Sequence, residues 1–464
     1  MKICLVYPRT FLQNNSFLIP LGIVLLATII KKQGYDVIVL DSSFDNDLKE
    51  TKHKIKECRP DVVGVSASSD LYSNAKEIVN FSKTIGAITV AGGPYPTLVP
   101  EEVILDCNSL DFVVSQEAEF TFLELLNALK LGGSLDVVNG ITYRKEGKVK
   151  TNSVREPISN LDELPFADRE VLPTHNQYIA SGVIGLMTSR GCPYNCGFCQ
   201  PALNKITAKF RRRSPENVAE EITMLYKKYK KNEFHIDDET FALDKDWIKG
   251  LVEELRCRKL KGVLRFYVLS RVDSFDKEAA DLFKQLGVKA VGFGVETGSQ
   301  EILDALHKDI TIGQIKNAFK LANVFKIKTH AFLMLGTRYE TVGTLQATAE
   351  LVHEIQPDSI GIALFTPQVG TFLYSELGSK ELINNMPFEY FDFYQYSGND
   401  LPCKSETLTY KQVINFRNKL LKERRLRFII NNTREVVFDF WNNRSIEQII
   451  MRAKYFMKKR HYYG

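Results

Sequence analysis

The apolar residues of the chain fall into two series of short runs, and the segments between those runs follow a different period. In the first series "KICLVY" (Lys2 to Tyr7), "DVIVLD" (Asp36 to Asp41), "DVVGVS" (Asp61 to Ser66), "AITVAGG" (Ala87 to Gly93) and "DFVVS" (Asp111 to Ser115) are apolar at consecutive positions. That is the pattern of strands buried on both faces. Between them, stretches such as Leu71 to Gly86 and Glu119 to Lys130 repeat at helical spacing. Strands joined by helical crossovers predict an α/β unit over residues 1–138, an open, doubly wound Rossmann-like sheet. Its ligand belongs beyond the carboxyl ends of the strands. "NGITYRKEGKVKTN" (Asn139 to Asn152) reads as a polar hairpin and "ISNLDELPFADREVLP" (Ile158 to Pro173) as a proline-punctuated linker, so residues 139–180 separate two units.

The second series is "VIGLMTS" (Val183 to Ser189), "EFHI" (Glu233 to Ile236), "LRFYVLS" (Leu264 to Ser270), "AVGFGVE" (Ala290 to Glu296), "THAFLML" (Thr329 to Leu335) and "SIGIALF" (Ser359 to Phe365). The helix that opens "SPENVAEEI" has Ser214 as its N-cap, Pro215 in its first position and a stripe of Val218, Ile222, Leu225 and Tyr229. Six such βα units predict a partial TIM-like barrel over residues 181–375, with its chemistry at the carboxyl ends of the strands. Residues 376–464 are less regular and mostly helical in pattern. They include the aromatic run "FEYFDFYQY" (Phe388 to Tyr396), which suits core or interface packing, and a basic end with Lys454, Lys458, Lys459 and Arg460. The basic end reads as a solvated helix face, with anionic lipid as its second reading.

Length agrees with more than one domain, because 464 residues exceed what one core usually supports, about 250–300. A composition of 44% hydrophobic and 25% charged residues, with a net charge of +5, is that of a globular protein with no strong pull toward nucleic acid. The longest apolar run, "FLIPLGIVLLATII", is too short to span a bilayer and contains Pro20 and Gly22. The start "MKICLVYPRT" lacks the layout of a secretory signal, so the expected location is the cytoplasm. Eight cysteines without dense even spacing suit reduced thiols rather than a disulfide framework. Cys4, Cys58, Cys107 and Cys257 fall in or beside regular elements and read as small core residues, and Cys403 as an unreactive loop thiol.

The remaining three cysteines change the picture. "TSRGCPYNCGFCQ" (Thr188 to Gln200) places Cys192, Cys196 and Cys199 in C-x3-C-x2-C spacing directly after the first strand of the second series. Structural zinc takes four ligands, and a 4Fe-4S cubane usually takes four thiolates. Three thiolates leave one iron open, as catalytic metal sites do. Three buried thiols on a turn are the plainer reading, and the glycine and proline around them favour a loop that wraps an object.

This triplet, with Phe198 just before its last cysteine, resembles the signature of radical S-adenosylmethionine (SAM) enzymes. The likeness runs from about Gly185 to Phe372 through "FRRRSPENVAEEI", "FHIDDETF", "LSRVD", "VGFGVETGS" and "PQVGTFLY". It implies a 4Fe-4S cluster held by Cys192, Cys196 and Cys199, with SAM on the fourth iron and a 5'-deoxyadenosyl radical as the product of reductive cleavage. It also implies SAM contacts at Phe198, at Asp237, Asp238 and Glu239 after the second strand, at Arg271 after the third and at Glu296 after the fourth. A guanidinium at Arg271 suits a carboxylate. The plainer readings are an acidic turn and a barrel-rim salt bridge. "MLGTRYET" departs from the usual Gly-Leu-Pro-Gly run, having Thr337 and Arg338 there, so the resemblance does not extend to the fifth-strand contact.

The first unit is similar to the cobalamin-binding domains that precede such barrels in one branch of this family. "VVGVSASSDLYSNA", "AGGPYPTLVPEEV" and "FVVSQEAEFTFLELL" carry the likeness, which implies cobalamin contacts from Ser66, Ala67, Ser68, Gly92 and Gly93. The D-x-H-x-x-G motif that supplies a histidine to cobalt is absent, so cobalt would lack that ligand; alternatively the domain braces the barrel without cobalamin. The implied activity is cobalamin-dependent methylation of an unactivated carbon. A radical cyclase or rearranging enzyme is the second reading, and a non-catalytic iron-sulfur or cobalamin sensor the third. The implied partners are a small-molecule or lipid-like substrate and a low-potential donor such as flavodoxin or ferredoxin. The aromatic run Phe388 to Tyr396 could then cap the barrel against water.

Overall fold

The computed structural model describes residues 1–9, 18–45, 47–180, 182–199, 209–377 and 401–423. In the front unit β1 (Lys2–Tyr7), β2 (Asp36–Asp41), β3 (Val62–Ser66), β4 (Ile88–Gly92) and β5 (Phe112–Val114) run parallel in the order β2-β1-β3-β4-β5. Successive side chains of a strand point to opposite faces, and β1 shows the result. Ile3 and Leu5 enter one core with α1 (Leu21–Lys32) and α6 (Ala118–Leu131). Cys4 and Val6 enter another, with α2 (Lys49–Cys58), α3 (Tyr72–Thr84) and α5 (Pro100–Asp106). Helices on both faces are why these strands are apolar throughout. The short α4 (Pro94–Leu98) follows β4. The strand order reverses between β1 and β3, which makes the crevice beyond their carboxyl ends the ligand position of a doubly wound sheet.

The predicted hairpin forms as β6 (Ile141–Lys145) and β7 (Lys148–Thr151), and it joins the front sheet, β6 pairing antiparallel with β5. After α7 (His175–Ile179), β8 (Val183–Leu186) opens the second sheet. The run predicted as one strand to Ser189 breaks, and Ser189–Arg190 forms β9, paired antiparallel with β10 (Arg211–Arg212). The other strands are β11 (Glu233–Ile236), β12 (Arg265–Ser270), β13 (Val288–Glu296), β14 (Lys328–Leu335) and β15 (Ser359–Leu364). With β8 they form a six-stranded parallel sheet in sequential order, left open between β8 and β15, the expected partial barrel.

Its convex side is covered by α8 (Pro215–Tyr229), α9 (Lys245–Cys257), α10 (Lys277–Leu286), α12 (Ile312–Val324) and α13 (Val342–Ile355), over a core that includes Phe234, Phe241, Phe266, Phe275, Phe283 and Phe293. Two shorter helices, α11 (Gln300–Ala305) and α14 (Phe372–Glu376), lie near the carboxyl rim. Ser214 caps α8 through Asn217 N at 3.2 Å, and Val218, Ile222 and Leu225 are buried as the stripe predicts. Cys4 and Cys107 are buried, whereas Cys58 is half-buried and Cys257 is exposed at the end of α9, so Cys257 is not a core residue. Of the last region, the described part contains a helix over 410–423. The aromatic run 388–396 and the basic end lie outside the described residues.

The two units meet at their carboxyl rims. Ser69 Oγ, past β3, donates to Gln368 Oε1, past β15, at 3.1 Å, and Val369 packs on the front core. Asp168 N of the linker donates to Thr28 Oγ1 of α1 at 2.9 Å. Among the described residues no helix is long and apolar enough to cross a membrane.

Candidate active site

The thiol loop leaves the barrel through β9 and returns through β10. Within it Gly197 is clamped from both sides: its N–H donates to Leu306 O, and its carbonyl accepts from Leu373 N, each at 2.9 Å. That clamp presses Phe198 onto a small core of Ile302, Leu306, Phe365, Leu373, Leu377 and Cys403. Cys192, Cys196 and Cys199 are each half-buried and close enough to feel one another's charge. Burial, then the carboxylate of Glu239, raises the Cys192 and Cys199 thiols above their ordinary range. Among the described residues no three His, Cys, Asp or Glu side chains converge on a point that would hold a single ion. A cubane, which takes each thiolate on a different iron, does not need them to.

Arg271, at the end of β12, stands over this loop. Nη1 donates to Cys196 Sγ at 3.3 Å, and the guanidinium lies 3.7 Å from the centre of the Tyr194 ring. Nη2 donates to Lys308 O at 2.8 Å, and Asp273 fixes the fork through 3.0 and 2.9 Å bonds. Lys308 is buried with its Nζ 2.6 Å from Glu296 Oε1 and 5.5 Å from the centre of the Phe198 ring. Glu296 has φ +63, so the strand end twists to turn its carboxylate inward.

The acidic run after β11 divides by burial. Asp238 is buried and accepts from Thr188 N at 2.7 Å, Ser189 N at 3.0 Å and Thr188 Oγ1, with Arg212 3.5 Å away. These bonds tie it to the base of the thiol loop, so Asp238 holds that loop. Asp237 lies exposed, 3.1 Å from His235 Nδ1, and Glu239 is exposed beside the thiols. Protein packed around its carboxyl strips away part of the hydration although the residue keeps a solvent-facing side, and with the charges of Asp238 and Asp237 this raises the Glu239 carboxyl. After β14 the divergent run is pinned otherwise: Gly336 N donates to Glu340 Oε2 at 2.5 Å, and Thr407 Oγ1 donates to Glu340 O at 2.6 Å. Beside it a small pocket of about 20 Å³, room for little more than a water, is lined mainly by Ile302, Leu306, Thr337, Phe365, Leu373 and Leu377.

In the front crevice Ser66 and Ser68 are half-buried and line the opening, while Ala67 is buried. Gly93 has φ +99, and a Cβ there would come within 2.7 Å of Ala67 O. That glycine therefore serves the packing of two loops, β3–α3 against β4–α4, and keeps the crevice floor thin. Arg9, just past β1, is buried with its Nε lacking a partner among the described residues. An orphaned guanidinium donor at the switch point suits a ligand rich in carbonyl or phosphate oxygen, as cobalamin is.

Comparison with known proteins agrees with both halves. The sequence model of the radical SAM superfamily matches residues 186–352, and that of the B12 binding domain matches residues 14–126. An uncharacterized methyltransferase of Pyrococcus horikoshii, PH0819, is 31% identical over 439 residues, 93% of each chain. The chain belongs to the cobalamin-binding radical SAM enzymes. The anaerobic magnesium-protoporphyrin IX monomethyl ester cyclase of Rubrivivax gelatinosus is also 31% identical, over 82% of this chain and 68% of that protein. The solved structure of the radical SAM methyltransferase TsrM from Kitasatospora setae, with tryptophan and a SAM analog, shares the fold at 19% identity and a TM-score of 0.67, covering 80% of this chain and 75% of that one.

The cofactors of this radical SAM enzyme are accordingly a 4Fe-4S cluster, SAM and cobalamin. Lys308 and Arg9 are candidate site residues that sequence reasoning missed. Neither sits in a patterned run, and only burial beside the thiols or the crevice singles them out.

Proposed function

We propose that this radical SAM enzyme is a methyltransferase that acts on an unactivated carbon of a small or lipid-like molecule. The observation that carries this reading is the meeting of the two carboxyl rims at Ser69 and Gln368, which turns the thiol loop and the switch-point crevice toward one junction. The likeness to the P. horikoshii methyltransferase over 93% of each chain supports it. Cyclisation is the second reading, favoured by the likeness to the R. gelatinosus cyclase, which extends over less of that protein.

When bound, the cluster and SAM supply a 5'-deoxyadenosyl radical, and cobalamin supplies the methyl group. The residues of the chain do the placing. Cys192, Cys196 and Cys199 hold the cluster, and Arg271 offers its guanidinium to Cys196 and to the SAM carboxylate. Glu296, steadied by Lys308, faces SAM's ribose or amino group together with Asp237 and Glu239, and Phe198 packs beside it. Ser66, Ser68, Gly92 and Arg9 hold cobalamin from the front sheet, with Ala67 and Gly93 shaping the floor. Holding both partners at fixed geometry is where the rate comes from. A low-potential carrier such as flavodoxin or ferredoxin supplies the electron in the cytoplasm, where thiols stay reduced.

Anaerobic reconstitution with iron and sulfide, then SAM, dithionite and cobalamin, tests this reading. The expected products are 5'-deoxyadenosine and, with substrate drawn from the gene neighbourhood, a product carrying the labelled SAM methyl. An intact cluster that yields no 5'-deoxyadenosine would refute the enzyme reading, and an unmethylated cyclised product would favour the second.

A further inference from the structure

The thiol loop is held at its base by a ribbon with two faces. The β9–β10 pairing sets Arg190 opposite Arg211 and Ser189 opposite Arg212, and cross-strand neighbours project to the same side. The Arg212 side chain faces the barrel, where it and the Ser189 backbone N–H meet Asp238. Arg190 and Arg211 face the front unit, where α6 begins directly past β5. There Arg190 reaches Glu117 at 3.1 Å and Glu119 at 2.5 Å, and Arg211 reaches the same Glu117 at 3.0 Å. Glu117 also accepts from Ile158 N of the linker at 2.7 Å, and Arg211 donates to Ile158 O at 2.6 Å.

All four side chains are at most 13% exposed. Two positive and two negative charges thus lie side by side away from water, and Glu117 is shared by both guanidinium groups. The two arginines bracket the cysteines, Arg190 two residues before Cys192 and Arg211 at the returning strand. An apolar interface would hold two domains together yet let them slide. A guanidinium fork on a carboxylate accepts one geometry, and a buried charge that loses its partner is strongly disfavoured.

We infer that Glu117, Glu119, Arg190 and Arg211 form a brace that fixes the thiol loop against the front unit, so that they are positioning residues for the transfer between cluster-bound SAM and cobalamin. This rests on the cobalamin-dependent reading above. Cleavage of SAM is confined to the barrel and needs no such registration, whereas moving a methyl group between the two halves does. A displacement of about 1 Å can cost about a hundredfold in rate.

The test uses the full chain, reconstituted anaerobically with cluster and cobalamin, as wild type, Glu119→Gln, Arg190→Lys and the exchanged pair Glu119→Arg with Arg190→Glu. Methyl-labelled SAM is the probe, read as label recovered on the bound cobalamin against 5'-deoxyadenosine formed, alongside amide hydrogen exchange of the same samples. The expected result is that Glu119→Gln and Arg190→Lys lower the ratio of the two by about tenfold to a hundredfold. They also lose exchange protection at 188–191 and at the start of α6 while β12 and β13 keep theirs, and the exchanged pair recovers part of both. An unchanged ratio with unchanged protection would overturn the brace, and so would an equal fall in both products, which marks simple loss of the cluster. A wild-type chain that takes up no cobalamin would instead sink the functional reading. The exchange data then decide the brace alone.

Discussion

Around Lys308 the energetics reduce to one ammonium and one carboxylate out of water, 2.6 Å apart. Removing one partner of such a pair costs about 3–5 kcal/mol, because the other stays behind charged and desolvated. Lys308→Met is therefore expected to lower unfolding free energy by about that much, and Glu296→Gln, which keeps an acceptor for Nζ, by clearly less; denaturant titration separates them. Gly294→Ala has a related effect, since its Cβ would stand 2.6 Å from Glu296 Oε1 and 2.7 Å from Lys308 Nζ. Overpacking of that kind costs about 1–3 kcal/mol. Arg271 bears on redox chemistry, because donors to cluster sulfurs help set the potential. Replacing it with Met removes a charged hydrogen bond to Cys196 that favours the more negative, reduced cluster, so the midpoint in an EPR-monitored titration is expected to fall. At this scale the sequence was legible in part. The cysteine spacing announced itself, but "HIDDET" does not say which acid is buried, and the partners of Asp238 are about fifty residues away.

Among the elements, the loop after β14 is the one whose stability should respond to pH. Burial pushes the Glu340 carboxyl from 4.5 up to about 7, against the opposing hydrogen bonds from Gly336 and Thr337. A folded-state value above the unfolded one means the folded chain binds the proton more tightly. That stabilisation is whole below pH 4.5 and is lost as pH rises through about 7, amounting to about 3 kcal/mol. Wild type should thus lose about that much more stability than Glu340→Gln between pH 4.5 and 8, measured by denaturation at each pH. No pattern in "MLGTRYET" foretells this, because the burial comes in part from residues 401–408 folding back over the loop. The strands themselves were readable for the opposite reason: being covered on both faces leaves a continuous apolar signal in one short run. Where β8 ends early and β9 turns aside, the apolar run "VIGLMTS" gave no sign of the break, which follows from Asp238 capturing Thr188 and Ser189.

For the whole molecule, two units that meet rim to rim should share the consequences of ligand binding. Cobalamin that binds only the folded chain stabilises it by about 2.7 kcal/mol at a hundredfold excess over Kd. A rise in melting temperature on adding cobalamin to the full chain, diminished in Arg9→Met, is the expected outcome. Sequence spacing showed both α/β units but could not show their mutual placement, since each contact between them joins residues far apart in the chain, 71 positions for Arg190 and Glu119 and 299 for Ser69 and Gln368. The hairpin makes the same point more sharply. Read locally it was a polar appendage, and in three dimensions it is the last pair of strands of the front sheet, ending in Lys148 and Lys150. Without it β5 would be a bare apolar margin with unpaired amides, the kind of edge that recruits other chains, so deleting the plain-looking segment "YRKEGKVKT" is expected to make the protein self-associate through its own sheet.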